Sequence, residues 1–165
     1  MSDKKLRERR AGFLFIEKYN KLKNRNFILE SEEQKNDRGR DPVPDLVFYD
    51  GENILNVEEV SLWDMADIFA EKAKINGIGK GSIRTNHAYY YDLITQDILN
   101  KNYKCDILLI NGYKNRLMWN CELKGFDIFS NNNLDLQGHF RKFFKEVWVL
   151  DGNQSIRSIF EAVHF

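Results

Sequence analysis
Apolar and polar positions along the chain alternate between two kinds of spacing. Residues 4–23 carry helix formers with a broad apolar surface made by Leu6, Phe13, Leu14, Phe15, Ile16, Tyr19 and Leu22, and no proline interrupts them, which predicts a first helix. Asn26 to Leu29 reads as a short strand. The stretch ESEEQKNDRGRDPVP that follows is charged and proline-bearing, as an exposed loop is. From Asp45 to Tyr49 and from Ile54 to Leu62 the chain is rich in β-formers, and Asp50-Gly51 between them is a hairpin signal.

Helical spacing returns over 64–75, where Met65, Ile68, Phe69 and Ile75 fall on one stripe, and Gly77, Gly79 and Gly81 end it. A helix over 88–101 runs into an apolar strand, Asp106 to Ile110. A turn at Asn111-Gly112, a strand around Leu117 to Leu123 and an Asn-rich loop come next. Leu134 to Phe144 reads as helix, EVWVLD as a buried strand, and Ser155 to Val163 as a closing helix. No repeat or low-complexity tract is visible. The pattern predicts a mixed α/β architecture with helices flanking one sheet.

With 165 residues, 42% of them hydrophobic, the chain has enough apolar surface for one sizeable core, so residues 1–165 are expected to form a single domain. Lys+Arg and Asp+Glu number 25 each, which leaves no whole-molecule basic field and confines any polyanion site to a local patch. The opening MSDKKLRERR is charged, and no run approaches the roughly 20 apolar residues of a membrane span. A soluble, cytoplasmic protein with no membrane partner is expected. Cys105 and Cys121 lie in apolar runs without metal-binding spacing and read as reduced core residues.

The chemistry-bearing positions cluster in the hairpin. On its second strand Leu55, Val57, Glu59 and Ser61 share one face, and Ile54, Asn56, Glu58 and Val60 share the other. A three-residue loop, Gly51 to Asn53, sets Asp45 opposite Glu59, with Cβ atoms about 5 Å apart, and a two-residue loop sets Asp45 opposite Glu58 instead. Two converging carboxylates need a cation or a proton between them, and hard oxygen ligands suit a divalent metal. The plainer alternative is that Pro44-Asp45 is turn chemistry and both glutamates are solvated. Lys72 stands i+4 from Ile68, inside the apolar stripe of the following helix, where a lysine must snorkel or find an anion.

These residues resemble the PD-(D/E)XK nuclease superfamily, whose members carry Pro-Asp at the start of one strand and an acid, any residue and lysine on the next. The matching residues are Pro44-Asp45 and Glu59-Val60-Ser61, with Ser61 where lysine is usual, as in the subgroup ending Glu-Val-Thr/Ser. Lys72 in FAEKAK resembles the helix-borne lysine of viral cap-snatching endonucleases, although no histidine precedes His87 here. The order helix, strand, hairpin, helix, later strand from Leu6 to Ile110 is similar to the family core. The resemblance implies an α/β fold with a restriction-endonuclease-like core, its mixed central sheet flanked by helices. It implies an endonuclease that hydrolyses phosphodiester bonds of DNA or RNA with Mg²⁺ or Mn²⁺. Asp45, Glu59 and the Val60 carbonyl would hold the metal, Lys72 would orient or activate the attacking water, and Glu17 on the first helix would be a further ligand. A surface Glu17–Lys21 pair is the alternative for that residue. A homodimer is compatible with all of this.

Other signals carry less. GIGKGS follows a helix and lacks phosphate-loop spacing, so it reads as a loop whose Lys80 and Arg84 either contact a nucleic-acid backbone or are simply solvated. Asp106 with Glu122-Leu123-Lys124 satisfies the acid-x-lysine rule literally, but no preceding strand completes its meander. Two further readings stand beside the nuclease. One is a catalytically silent protein of the same fold that binds nucleic acid or protein. The other is an unrelated α/β small-molecule-binding domain, favoured if Asp45 and Glu59 point to opposite faces.

Overall fold
The structure is a computed structural model that describes residues 2–30, 44–61, 95–112, 134–152 and 154–162. Helix α1, Asp3–Lys23, starts where the Ser2 hydroxyl accepts the Lys5 amide and ends where Asn24 turns left-handed at φ 53°. Asn20 then holds the chain as it leaves the helix, its amide donating to the Phe27 carbonyl and accepting the Phe27 N–H, both at 2.9 Å. Six strands follow, interleaved with helix: β1 Ile28–Leu29, β2 Leu46–Tyr49, β3 Ile54–Ser61, β4 Cys105–Asn111, β5 Phe144–Leu150 and β6 Ile156–Glu161. Residues 95–100 are helical ahead of β4, and α2, Leu134–Phe143, leads straight into β5.

The strands form one sheet in chain order. β1, β2 and β3 make an antiparallel meander, β3, β4 and β5 run parallel, and β6 returns antiparallel to β5. The parallel strands β4 and β5 are largely apolar on both sides, as strands covered by helices must be. On one face Phe15, Ile16 and Tyr19 of α1 pack with Leu46, Phe48, Val57, Ile107, Leu109 and Trp148. On the other, Val60, Leu108, Ile110, Val147 and Val149 pack with Ile98, Leu136 and Phe140. Gly12 lets α1 approach β2 closely, since a Cβ there would stand 3.0 Å from a methyl of Leu46. The result is the helix, sheet, helix layering of an α/β protein.

The expected closing helix over Ser155–Val163 is instead strand β6. Asp151 closes a tight turn, its N–H bonded to the Ser155 carbonyl at 2.9 Å and its carboxylate to the Ser155 amide at 3.0 Å, and the chain doubles back onto the open edge of β5. A register shift between Val147 and Trp148 marks a bulge that lets the consecutive residues Ile159 and Phe160 both pack against the second-face cluster. The expected helix over 64–75, the first half of the one over 88–101, the strand over 117–123, and Cys121, His87 and His164 lie outside the described residues. No described helix is long and apolar enough to cross a membrane.

One network ties α1 to β5 on the face of the sheet that they share. The Tyr19 hydroxyl donates to Glu146 Oε2 at 2.9 Å, the Trp148 indole donates to Glu146 Oε1 at 3.0 Å, and Lys23 lies 3.7 Å from the same carboxylate. Burial, followed by the Glu146 charge, pushes the Tyr19 phenol well above its usual range, so it stays a donor at any working pH. Tyr19→Phe removes one hydrogen bond from a carboxylate that keeps two partners, and is expected to cost about 1 kcal/mol in urea unfolding.

Candidate functional site
The hairpin turn sets the geometry. Asp50 Oδ1 accepts the amides of Glu52 at 3.1 Å and Asn53 at 2.7 Å, and the Asp50 N–H reaches the Asn53 carbonyl at 3.2 Å. Arg25 adds a 2.6 Å ion pair to the same carboxylate, and the guanidinium and the two amides hold it well below the usual carboxylate range. The loop is therefore two residues, Gly51-Glu52, with the first at φ 97°, the place for glycine in a type II′ turn.

That loop length decides the register. Tyr49 pairs with Ile54 and Leu46 with Val57, so the next position sets Asp45 opposite Glu58. The convergence of Asp45 with Glu59 expected from a three-residue loop does not occur. Glu59 faces α1 with Leu55 and Val57, where it is buried and accepts the Asn111 side-chain amide at 2.9 Å. Its link to Asp45 is through the backbone, with the Glu59 N–H donating to Asp45 Oδ2 at 2.9 Å.

On the opposite face Glu58 is 4% exposed. Lys101, just past the helical residues 95–100, brings its Nζ to 2.8 Å from Glu58 Oε1 and 3.7 Å from Asp45 Oδ2. Burial first, then the adjacent Asp45 carboxyl, push the Glu58 carboxyl up to about 7, against the opposing pull of Lys101. Burial would lower the Lys101 ammonium, but its hydrogen bond to Glu58 and the charges of Asp45, Glu58 and Asp97 outweigh it and raise it. Near neutral pH the cluster thus holds two carboxyl groups, one firmly charged ammonium and a proton on the edge of leaving. Glu58 Oε2 and, two residues earlier on the same face, Asn56 Oδ1 are buried and have no hydrogen-bond partner among the described residues.

The remaining positions sort quickly. Cys105 is buried, donates to the Asn56 carbonyl at 3.1 Å and is pushed up to about 12 by burial and by Glu58, so its thiol is inert. Val60 is a core residue of the Glu58 face. Glu17 is an exposed residue of α1, paired with Lys21 at 3.8 Å, and α1 lies against the other face. Asp106 accepts the Asn56 amide at 2.8 Å and pairs with Lys145 at 3.1 Å, which gives it a role in joining strands. Lys72, Lys80, Arg84, Glu122 and Lys124 lie outside the described residues. Among the described residues no group of three or more His, Cys, Asp or Glu side chains gathers as a metal cage.

Comparison with family models, with curated proteins and with solved structures gives no match. The site has to be read from its own chemistry. A buried glutamate faces an aspartate across a strand pair, a lysine contacts both, and Glu58 Oε2 has no hydrogen-bond partner among the described residues.

Sequence reasoning placed Asp45 correctly in the hairpin and left open which glutamate meets it. It missed Lys101. The signal was present, because Lys101 stands i+3 from Ile98, a core residue of the helix before β4, and so shares its inward side.

Proposed function
We propose that the chain is a divalent-metal-dependent nuclease acting in the cytoplasm on phosphodiester bonds of DNA or RNA, with Asp45, Glu58 and Lys101 at its centre. The observation that carries this reading is the opposed Asp45 and Glu58 carboxyls joined by the Lys101 ammonium. The order of elements supports it: a helix, a three-stranded antiparallel meander, helical residues and a fourth strand parallel to the third resemble the restriction-endonuclease-like core.

The donor set fits Mg²⁺ or Mn²⁺. Both side chains offer hard oxygens, Glu58 Oε2 is buried without a donor among the described residues, and Mg²⁺ is commonly held by one or two carboxylates while keeping several waters. When bound, such an ion polarises a phosphate and lowers the pKa of its water. Asp45 and Glu58 would hold it, with Glu58 giving up its proton. Lys101 takes the part the sequence pattern gave to Lys72, its fixed positive charge favouring hydroxide nearby and the charge that develops at phosphorus. Lys80 and Arg84 remain the proposed backbone contacts.

Thermal unfolding with and without millimolar Mn²⁺ tests the reading, because a ligand bound only by the folded state raises the midpoint. A rise that Asp45→Ala abolishes, followed by metal-dependent cutting of DNA or RNA, is the expected result. One observation favours a second reading, a silent fold used as a binding module: the Lys101 ammonium already bridges the two acids and offsets one of their charges. That reading expects no rise in midpoint. The opposite-face placement of Asp45 and Glu59, which would favour a small-molecule domain, is offset by Glu58 standing in the position opposite Asp45.

A further inference from the structure
His139 lies on α2, remote in sequence from the acids, and its ring Nε2 is 2.9 Å from the carbonyl oxygen of Lys101. A carbonyl only accepts, so Nε2 must carry the hydrogen, whether the ring is neutral or charged. The ring is set by packing against Phe143, with centroids 4.8 Å apart, and against Phe144 at 6.0 Å, both at the junction of α2 and β5. On the other side of the same residue, the Lys101 N–H closes a tight turn onto the Ile98 carbonyl at 3.0 Å.

Both backbone groups of Lys101 are thus tied down where its helix has ended. A four-carbon side chain leaving an unanchored backbone would sample many positions, and a fixed backbone leaves only rotamers to choose among. We infer that His139 is a positioning residue for Lys101, holding its main chain through the Nε2–H···O=C bond so that Nζ reaches Glu58 and Asp45. The inference rests on the reading of Lys101 as a functional group of the site. His139 itself touches no part of the Asp45–Glu58 pair and is not a catalytic residue.

Competitive acetylation of the full chain at limiting reagent, read by mass spectrometry as Lys101 labelling relative to the exposed Lys104, tests it. In the wild type Lys101 is shielded by its ion pairs. His139→Leu keeps the bulk and removes the donor, and is expected to raise the relative labelling of Lys101 about tenfold, the equivalent of weakening one charged hydrogen bond. His139→Gln places an amide donor near the position of Nε2 and restores the low labelling. Unchanged Lys101 labelling in a folded His139→Leu protein, even with a lowered unfolding midpoint, means a purely structural histidine and overturns the inference. The wild type supplies a check that needs no variant: imidazole ¹⁵N shifts above pH 8 should show the Nε2–H tautomer, and an Nδ1–H tautomer overturns it. Labelling that responds to His139 in a protein that cuts no nucleic acid upholds the positioning role and counts against the nuclease. Cleavage with labelling indifferent to His139 does the reverse.

Discussion

Glu58→Ala is expected to abolish the Mn²⁺-induced rise in unfolding midpoint and to reduce nucleic-acid cleavage by about three orders of magnitude, whereas Glu59→Ala leaves the metal response in place. Strand alternation puts the two glutamates on opposite faces, and the two-residue turn at Gly51-Glu52 decides which one meets Asp45: Glu58 lies beside Asp45 and Lys101, and Glu59 points toward Asn111 and α1. Glu59→Ala should act on stability, costing roughly 1–3 kcal/mol because the Asn111 amide loses a buried acceptor. Calorimetry with Mn²⁺ and a cleavage assay on both variants separate the two. If Glu59→Ala removes the metal response and Glu58→Ala spares it, the centre lies on the α1 side of the sheet and the assignment of Glu58 and Lys101 is wrong.

The second large effect is on pH dependence in the metal-free protein. Glu58 has an ordinary value of 4.5 and a folded value of about 7, so the folded state binds its proton more tightly than the unfolded chain does. Between these values unfolding releases a proton, and stability falls as pH rises. The contribution is fully present below 4.5 and gone above 7, and at 1.36 kcal/mol per unit it amounts to about 3 kcal/mol as an upper bound. Glu58→Gln, which cannot ionise, should therefore flatten the stability profile across this window and be the more stable protein at pH 8 by about 2 kcal/mol. Urea unfolding at half-unit pH steps measures it. Parallel profiles for wild type and variant would mean that Glu58 titrates like a solvated carboxyl. Lys101→Met works in the opposite direction, removing the charge that lowers the Glu58 value and carrying the fall to higher pH.

Much of this arrangement was legible in the sequence, for reasons that differ from element to element. The helix α1 identified itself, although of the apolar residues read into its surface Phe15, Ile16 and Tyr19 are buried and Leu6, Phe13 and Leu22 are exposed, and the β-rich runs on either side of Asp50-Gly51 identified themselves because their composition and their turn agreed. The turn named a hairpin but not its loop length, because glycine after aspartate serves loops of two or three residues. One residue of difference exchanged Glu59 for Glu58. At the closing segment, Ile156, Ile159, Phe160 and Val163 have perfect helical spacing, and the strand that forms accommodates Ile159 and Phe160 through a bulge. The decision there belonged to the unpaired edge of β5, which no local window contains. Lys101 was hidden differently. It lies at a helix end, where a cation is ordinarily read as a partner of the helix dipole, and its acids come from a distant part of the chain.

That distance has a kinetic meaning. Glu58 and Lys101 are 43 residues apart, and they meet only when β4 has docked alongside β3 in parallel. A hairpin joined by two residues closes in microseconds, but parallel pairing across a long connection pays its loop entropy before any contact compensates it. Until β4 docks, the Asp45 and Glu58 carboxyls face each other with no ammonium between them, and the burial that is the main cause of the raised Glu58 value is absent as well. The charge cluster is complete only once the parallel strands have paired, so the hairpin by itself carries the two acids without their cation.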